Sequence, residues 1–356
     1  MSQRDEFGLI HWITGQRSST VTGVQQEVDV VRVGIGDDAA VVRFGPNDEQ
    51  QHMELLLTVD TMVDGIHFTD RTMSKEDVGY KAMSAAISDI AAMGGIAKTA
   101  LVSASIPKTM DQQLMYDLFT GLDQSACDHG VKIVGGDTVS TTGPLTLTVT
   151  ITGEVEKNKA ILRSGAQTGD VVFITGELGL SAAGLDWMLN REELPMKDSI
   201  RKELTILKTF HQRPKAQLQT GRLLLESGVV TSLNDISDGL VSECYEIAEA
   251  SGKNITLFEE LIPIAPELVR YGVLTDQPGL SWVLYGGEDY QLVGTAPGIE
   301  LPRIQTMLYE YGIHIVMIGM VNESKPNQAS EVELMWNNEQ RALLEKKGYN
   351  HFGGEK

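Results

Sequence analysis

Residues 34–41 read GIGDDAAV. Apolar runs rich in β-branched residues flank them, Val28 to Val33 before and Ala39 to Phe44 after. The reading is strand, tight turn, strand, with two carboxylates delivered at the turn. The loose pattern Gly34-x-Gly36-x-x-Ala39 also fits a dinucleotide fingerprint. That reading fails on context: a helix should follow the glycines, whereas AAVVRF has strand character, and Asp37 and Asp38 would repel a pyrophosphate. Two readings of the octapeptide remain, a hard-cation site with acids on a turn between strands, or a solvated Asp-Asp turn. The rest of the chain decides between them.

Outward from this turn the same arrangement recurs. ELLLTVD (54–60) is a buried-type strand ending in Asp60, and the chain continues through Asp64-Gly65 to His67. VKIV (131–134) runs into the glycine turn GGDT (135–138) with Asp137. SLNDISDGL (232–240) carries Asp235 and Asp238, and GGEDY (286–290) carries Glu288 and Asp289. Asp89 lies in a helical, apolar stretch between Ile87 and Ile90, where a carboxylate is costly unless paired or metal-bound. Each turn acid alone reads as a surface group. Together, after strands, they point to convergent carboxylates, since ligands gather at strand ends in α/β folds. Oxygen donors without a His/Cys cluster select a hard ion such as Mg²⁺, and Mg²⁺ bridges phosphates to an acidic protein.

The composition fits that reading. The chain has 356 residues, 42% of them hydrophobic, and a net charge of −20 at pH 7. Its length predicts two domains. Its charge argues against nonspecific nucleic-acid binding, which runs on basic patches, and means that something other than Lys and Arg must neutralise much of a bound phosphate's charge. No apolar run approaches a membrane span, and the opening MSQRDEF lacks signal-peptide character. Cys127 and Cys244 have no metal spacing and read as small buried residues. A cytoplasmic protein is expected.

Phe7 to Trp12 reads as a short amphipathic helix, and Arg17 to Gln26 as a polar segment able to order over a ligand. After the 34–41 turn and the 54–60 strand comes a helix capped at Ser74 and stopped at Gly94-Gly95. A strand (99–106), a helix (110–129), the short 131–134 strand and a strand alternating over Leu145, Leu147, Val149 and Ile151 follow. From 156 onward the reading is a strand at 170–175, then a helix opening after GELG (176–179), whose N-terminus can hold an anion or whose glycines equally serve close packing. Helices over 197–227 break at HQRP (211–214), and a helix begins after Asp238. Strands at 255–258 and 281–285, a helix at 302–312 and a strand at 314–321 complete it. The fold class is α+β in two domains, 1–155 and 156–356.

The chain has no Walker A loop, protein-kinase catalytic loop, Gly-x-Ser-x-Gly elbow or zinc signature, so a nucleotide enzyme here must hold phosphates by metals and glycine-loop amides. The stretches GIGDDAAV, TVDTMVDGIHF (58–68), GYKAMSAAISDIAAMGG (79–95), GGDT, RSGA (163–166), GELGLSAAGL (176–185), NDISDGL (234–240), GGEDYQL (286–292) and GYNHF (348–352) follow one another in order. In these the chain resembles the thiamine-monophosphate kinase family, of the superfamily of aminoimidazole ribonucleotide synthetase and selenophosphate synthetase.

The resemblance implies an N-terminal mixed α/β domain that dimerises by sheet pairing and a C-terminal α/β domain. It implies transfer of the ATP γ-phosphoryl to thiamine monophosphate with several Mg²⁺ ions. By position, Asp38, Thr58, Asp60, Asp89, Asp137, Asp235 and Asp238 correspond to the family's magnesium positions, and the Val59 carbonyl could add to them. Asp60 and Asp238 are the expected catalytic carboxylates. Gly136, Asp137, Arg163 and Ser237 correspond to nucleotide contacts, and His67, Glu288 and Tyr349 to thiamine-side contacts. HQRP stands where HLRP is expected, and GYNHF where GYDHF is expected, so Asn350 supplies no acid. Two alternatives stand beside this: another ATP-dependent enzyme of the superfamily, and a non-catalytic nucleotide- or metal-binding protein.

Overall fold

A computed structural model describes residues 31–43, 52–191, 198–325 and 328–347. The readings at 7–12 and 17–26, Tyr349 and Asn350 lie outside the described residues.

The first unit is a sheet with helices on one face. Its elements are β1 (Val31–Val33), β2 (Ala40–Val42), β3 (Met53–Val63), α1 (Lys75–Ala92), β4 (Ile96–Pro107), α2 (Gln112–Asp128), β5 (Lys132–Thr141) and β6 (Thr146–Glu156). The strand order is β1-β2-β3-β6-β4-β5, antiparallel except for the β4–β5 pair. Period-2 alternation along β6 buries Leu147, Val149 and Ile151. α1 starts where the Ser74 hydroxyl accepts from the Asp77 N–H, 3.1 Å. It is buried along most of its length, because the second unit covers what the sheet and α2 leave open.

The second unit comprises β7 (Asp170–Thr175), α3 (Leu180–Asp186), α4 (Asp198–Gln212), α5 (Leu218–Ser227), β8 (Ser232–Asp235), α6 (Leu240–Ser251), β9 (Lys253–Phe258), α7 (Pro266–Thr275), α8 (Gly279–Tyr285), β10 (Leu292–Pro297), α9 (Leu301–Tyr309), β11 (Ile315–Glu323), β12 (Val332–Met335) and β13 (Arg341–Leu343). Its sheet runs β13-β12-β9-β11-β7-β10-β8, with β9 and β12 the parallel pair. Central β7 is buried on both faces: Val172 and Ile174 enter one apolar cluster, Val171 and Phe173 the other. That is why its sequence is a continuous apolar run. The HQRP break between α4 and α5 also joins the units. Arg213 reaches Glu76 (2.7 Å) and Asp77 (2.5 Å) at the start of α1.

Three readings are corrected. Residues 281–285 belong to helix α8, which begins after Pro278 and closes with the Gly286 N–H donating to the Trp282 carbonyl. Burial of Val283 and Leu284 in the core overrides the β propensity of SWVLY. GGDT is no turn but the middle of β5. Gly136 has φ 153°, and a Cβ there would lie 1.8 Å from the Val102 carbonyl oxygen, so this glycine permits close strand approach. Cys127 is exposed, on the outer side of α2, while Cys244 is buried. Within the first sheet the strands at 54–60 and 145–151 are interior, and the edge opposite β1 is β5.

Candidate active site at the domain junction

Alternation on β3 places Thr58 and Asp60 on the face that carries buried Leu56, beneath α1. Asp89 sits near the C-terminal end of α1, and the Thr58 hydroxyl donates to its Oδ2. The β1–β2 turn brings Asp38 from the same unit. Asp235, the last residue of β8, arrives from the other unit. One carboxylate oxygen each from Asp38, Asp89 and Asp235 lies within 4.8 Å of the others.

Burial, followed by the charges of Asp235, Asp60 and Asp38, pushes the Asp89 carboxyl well above the usual carboxylate range. Burial also raises Asp38 well above that range despite its arginine partner, and raises Asp235 to about 6. Asp38 Oδ2 is buried without a hydrogen-bond partner. Three carboxylates at this spacing, Asp235 buried and Asp38 and Asp89 half-buried, need protons or a cation. An all-oxygen donor set with an orphaned acceptor fits a hard divalent ion.

Arg163, in the connector between the units, holds this cluster from behind. Its guanidinium meets Asp38 Oδ1 (2.6 Å), Glu246 Oε2 (2.6 Å) and Asn234 Oδ1 (3.1 Å). Its backbone N–H donates to Asp37 Oδ1, 3.2 Å. The 235–238 turn is fixed by Glu243 of α6, whose Oε2 accepts from Asn234 Nδ2 (2.6 Å) and whose Oε1 accepts from the Asp238 N–H (3.0 Å). The 286–290 turn hangs on that turn: the Glu288 N–H donates to the Ser237 carbonyl (2.7 Å) and the Tyr290 N–H to the Ile236 carbonyl (2.9 Å). Glu288 and Tyr290 adopt φ 63° and 49°, so these contacts hold a backbone that non-glycine residues avoid.

Between the units lies a cleft of about 580 Å³. Asp60, Asp89, Asp235, Ser237 and Asp238 line it, together with Val59, His67, Glu288 and Tyr290. The Val63 N–H donates to His67 Nδ1 (3.0 Å), so the proton of the neutral ring lies on Nε2. Gly136 and Asp137 do not reach this cleft within one chain. Asp60 pairs with Val149, Val149 with Val102 and Val102 with Gly136, three strand spacings or about 14 Å away. Asp289 turns aside too. It accepts from the Gly179 (2.6 Å) and Ser181 (3.2 Å) N–H groups, so the anion at that helix start is the protein's own carboxylate.

The sequence reading missed Lys81, His211, Asn234, Glu243 and Glu246. Lys81 and His211 are fully buried beside Glu288. For Lys81 the sequence signal is a basic residue within an otherwise small or apolar stretch of helix, whereas His211 sits on a helix rich in charged residues and carries no such signal.

Family models for AIR synthase related proteins match this architecture, the N-terminal domain over residues 36–155 and the C-terminal domain over 167–329. The thiamine-monophosphate kinase of Bacillus subtilis is 40% identical over 98% of this chain and 99% of its own length. That of Escherichia coli K12 is 31% identical over 90% of this chain and 92% of its own. A solved structure of AaThiL complexed with AMPPCP and TMP superposes with a TM-score of 0.79 at 29% identity, covering 99% of both chains. The chain belongs to the thiamine-monophosphate kinase family of AIR synthase related proteins.

Proposed function

We propose that this protein transfers the γ-phosphoryl group of ATP to thiamine monophosphate, giving ADP and thiamine diphosphate, by direct in-line displacement. The observation that carries this is the cluster of Asp38, Asp89 and Asp235, the last two of which line the cleft between the units, in a chain of this family. Magnesium ions held by this trio, with Asp60, Asp238, Thr58 and the Val59 carbonyl, would bridge the phosphates and offset the charge of two anions brought together. Arg163 preorganises Asp38, and Ser237 stands on the turn that faces the nucleotide. His67 and Glu288 face the thiamine side, and the family resemblance alone assigns Tyr349 to the same substrate. The acceptor oxygen is already anionic near pH 7, so the chain's own groups mainly position, neutralise and exclude water. ADP and thiamine diphosphate should form in equal amounts only when ATP, Mg²⁺ and thiamine monophosphate are all present. ATP consumption without thiamine monophosphate would favour another enzyme of the superfamily, and binding without turnover a non-catalytic protein.

The finer reading is a cytoplasmic homodimer with domains at 1–155 and 156–356. Edge strand β5 exposes Val134 and Val139, and the open sheet face exposes Val59 and Leu101, a surface suited to a second copy. Gly136 and Asp137 lie on that edge, so we place their nucleotide and metal contacts at the protomer junction. No described helix is long and apolar enough to cross a membrane, and the acidic charge disfavours nucleic acid. Light scattering at micromolar protein should give twice the chain mass of 38.9 kDa; a single-chain mass would contradict the dimer.

A further inference from the structure

Lys81 is a buried cation that takes no part in the acidic cluster. It lies two turns and a little more from Asp89 on α1, about 12 Å along the axis, and is 0% exposed. Its Nζ stands 2.8 Å from Glu288 Oε2. His211 Nδ1, from α4, stands 3.5 Å from the same oxygen and 3.2 Å from the Ser181 hydroxyl. Both basic groups therefore address Oε2, while the Glu288 side chain remains 28% exposed toward the cleft it lines.

The balance of charge here is one-sided. Burial, reinforced by the Lys81 charge, lowers His211 to about 3, so its ring is neutral. Burial pushes Glu288 up, but the Lys81 charge outweighs it, and the carboxyl ends below its ordinary value. A buried ion pair adds little stability over an apolar pair of the same volume, so stability alone gives no reason for Lys81. The pair also spans the two units, since α1 belongs to the first and the 286–290 turn to the second.

We propose that Lys81 is a positioning residue for the acceptor substrate: by occupying Oε2 of Glu288 it keeps that carboxylate ionised and leaves Oε1 to meet the ligand. The cleft is thereby selective for an acceptor whose ring system carries positive charge and N–H donors, and the selecting group is set only when both units are docked. This rests on the reading of thiamine monophosphate as acceptor, and deepens it.

The test is steady-state kinetics at saturating Mg-ATP with thiamine monophosphate varied, for wild type, Lys81→Met, Glu288→Gln and the double variant. Lys81→Met is expected to raise KM for thiamine monophosphate about 10- to 100-fold, the loss of one charged hydrogen bond, with KM for ATP unchanged. In the Glu288→Gln background the same substitution should add nothing, because Lys81 acts through that carboxylate. An unchanged KM in Lys81→Met, an equal rise in KM for ATP, or a further rise in the double variant over Glu288→Gln would each overturn the proposal. If Lys81→Met fails to unfold cooperatively, the comparison of the double variant with Glu288→Gln decides, since neither buried charge is left in the double variant. Absence of turnover in the wild type would instead overturn the functional reading, and this inference with it.

Discussion

Asp235→Asn is expected to lower kcat by about 10²–10³, the usual effect of losing one preorganised electrostatic contact at a reacting centre, without unfolding the protein. Asp235 is the member of the trio that comes from the second unit, so its loss removes the carboxylate that closes the cluster across the cleft. The substitution keeps size and one carbonyl oxygen but removes the charge. Activity and stability should therefore move in opposite senses. In the metal-free protein burial raises Asp235 to about 6 from 3.8, so the native state holds the proton more tightly than the unfolded chain. Its contribution is fully present below the unfolded value, is lost as pH rises toward about 6, and is absent above. At pH 8 the metal-free Asp235→Asn variant should melt at or above the wild-type midpoint, and at pH 4 the two should nearly coincide. Turnover near the wild-type rate, or a collapsed unfolding transition at pH 8, would contradict the assignment.

The parts of the fold written locally in the sequence were legible there. The Ser74 cap and Gly94-Gly95 stop define α1, alternation defines β6, and the apolar run at 170–175 coincides with β7. Elements whose state is set by distant packing were not. Residues 281–285 carry strand-forming side chains yet form α8 against the core, and α7, β10, β12 and β13 gave no local signal strong enough to read. The same division holds at the cleft. Acids after strands can be read off one by one, but which of them share a place depends on strand order. Asp38, Asp89 and Asp235 meet because β2, α1 and β8 meet, whereas Asp137 lies three strands from Asp60 on β5. Lys81 and Glu243 escaped notice for a related reason. Each is a charged residue on a helix, and Lys81 has its partner more than 200 positions away in sequence.

Metal removal should have the largest effect of all. The cluster brings three carboxylates together, while the chain offers 29 Lys and Arg against 49 Asp and Glu, so protein cations cannot by themselves offset the phosphates of two substrates. Chelation should abolish turnover, and the rate should keep rising with free Mg²⁺ after all ATP is complexed, because ions bound by the acids add to the one carried in by the nucleotide. Saturation as soon as ATP is complexed would count against more than one ion per site. The most direct measurement is anomalous diffraction from crystals grown with Mn²⁺ and a non-hydrolysable ATP analogue. The account predicts a peak within coordination distance of carboxylate oxygens from Asp38, Asp89 and Asp235 together; strong peaks elsewhere with none at this trio would contradict it.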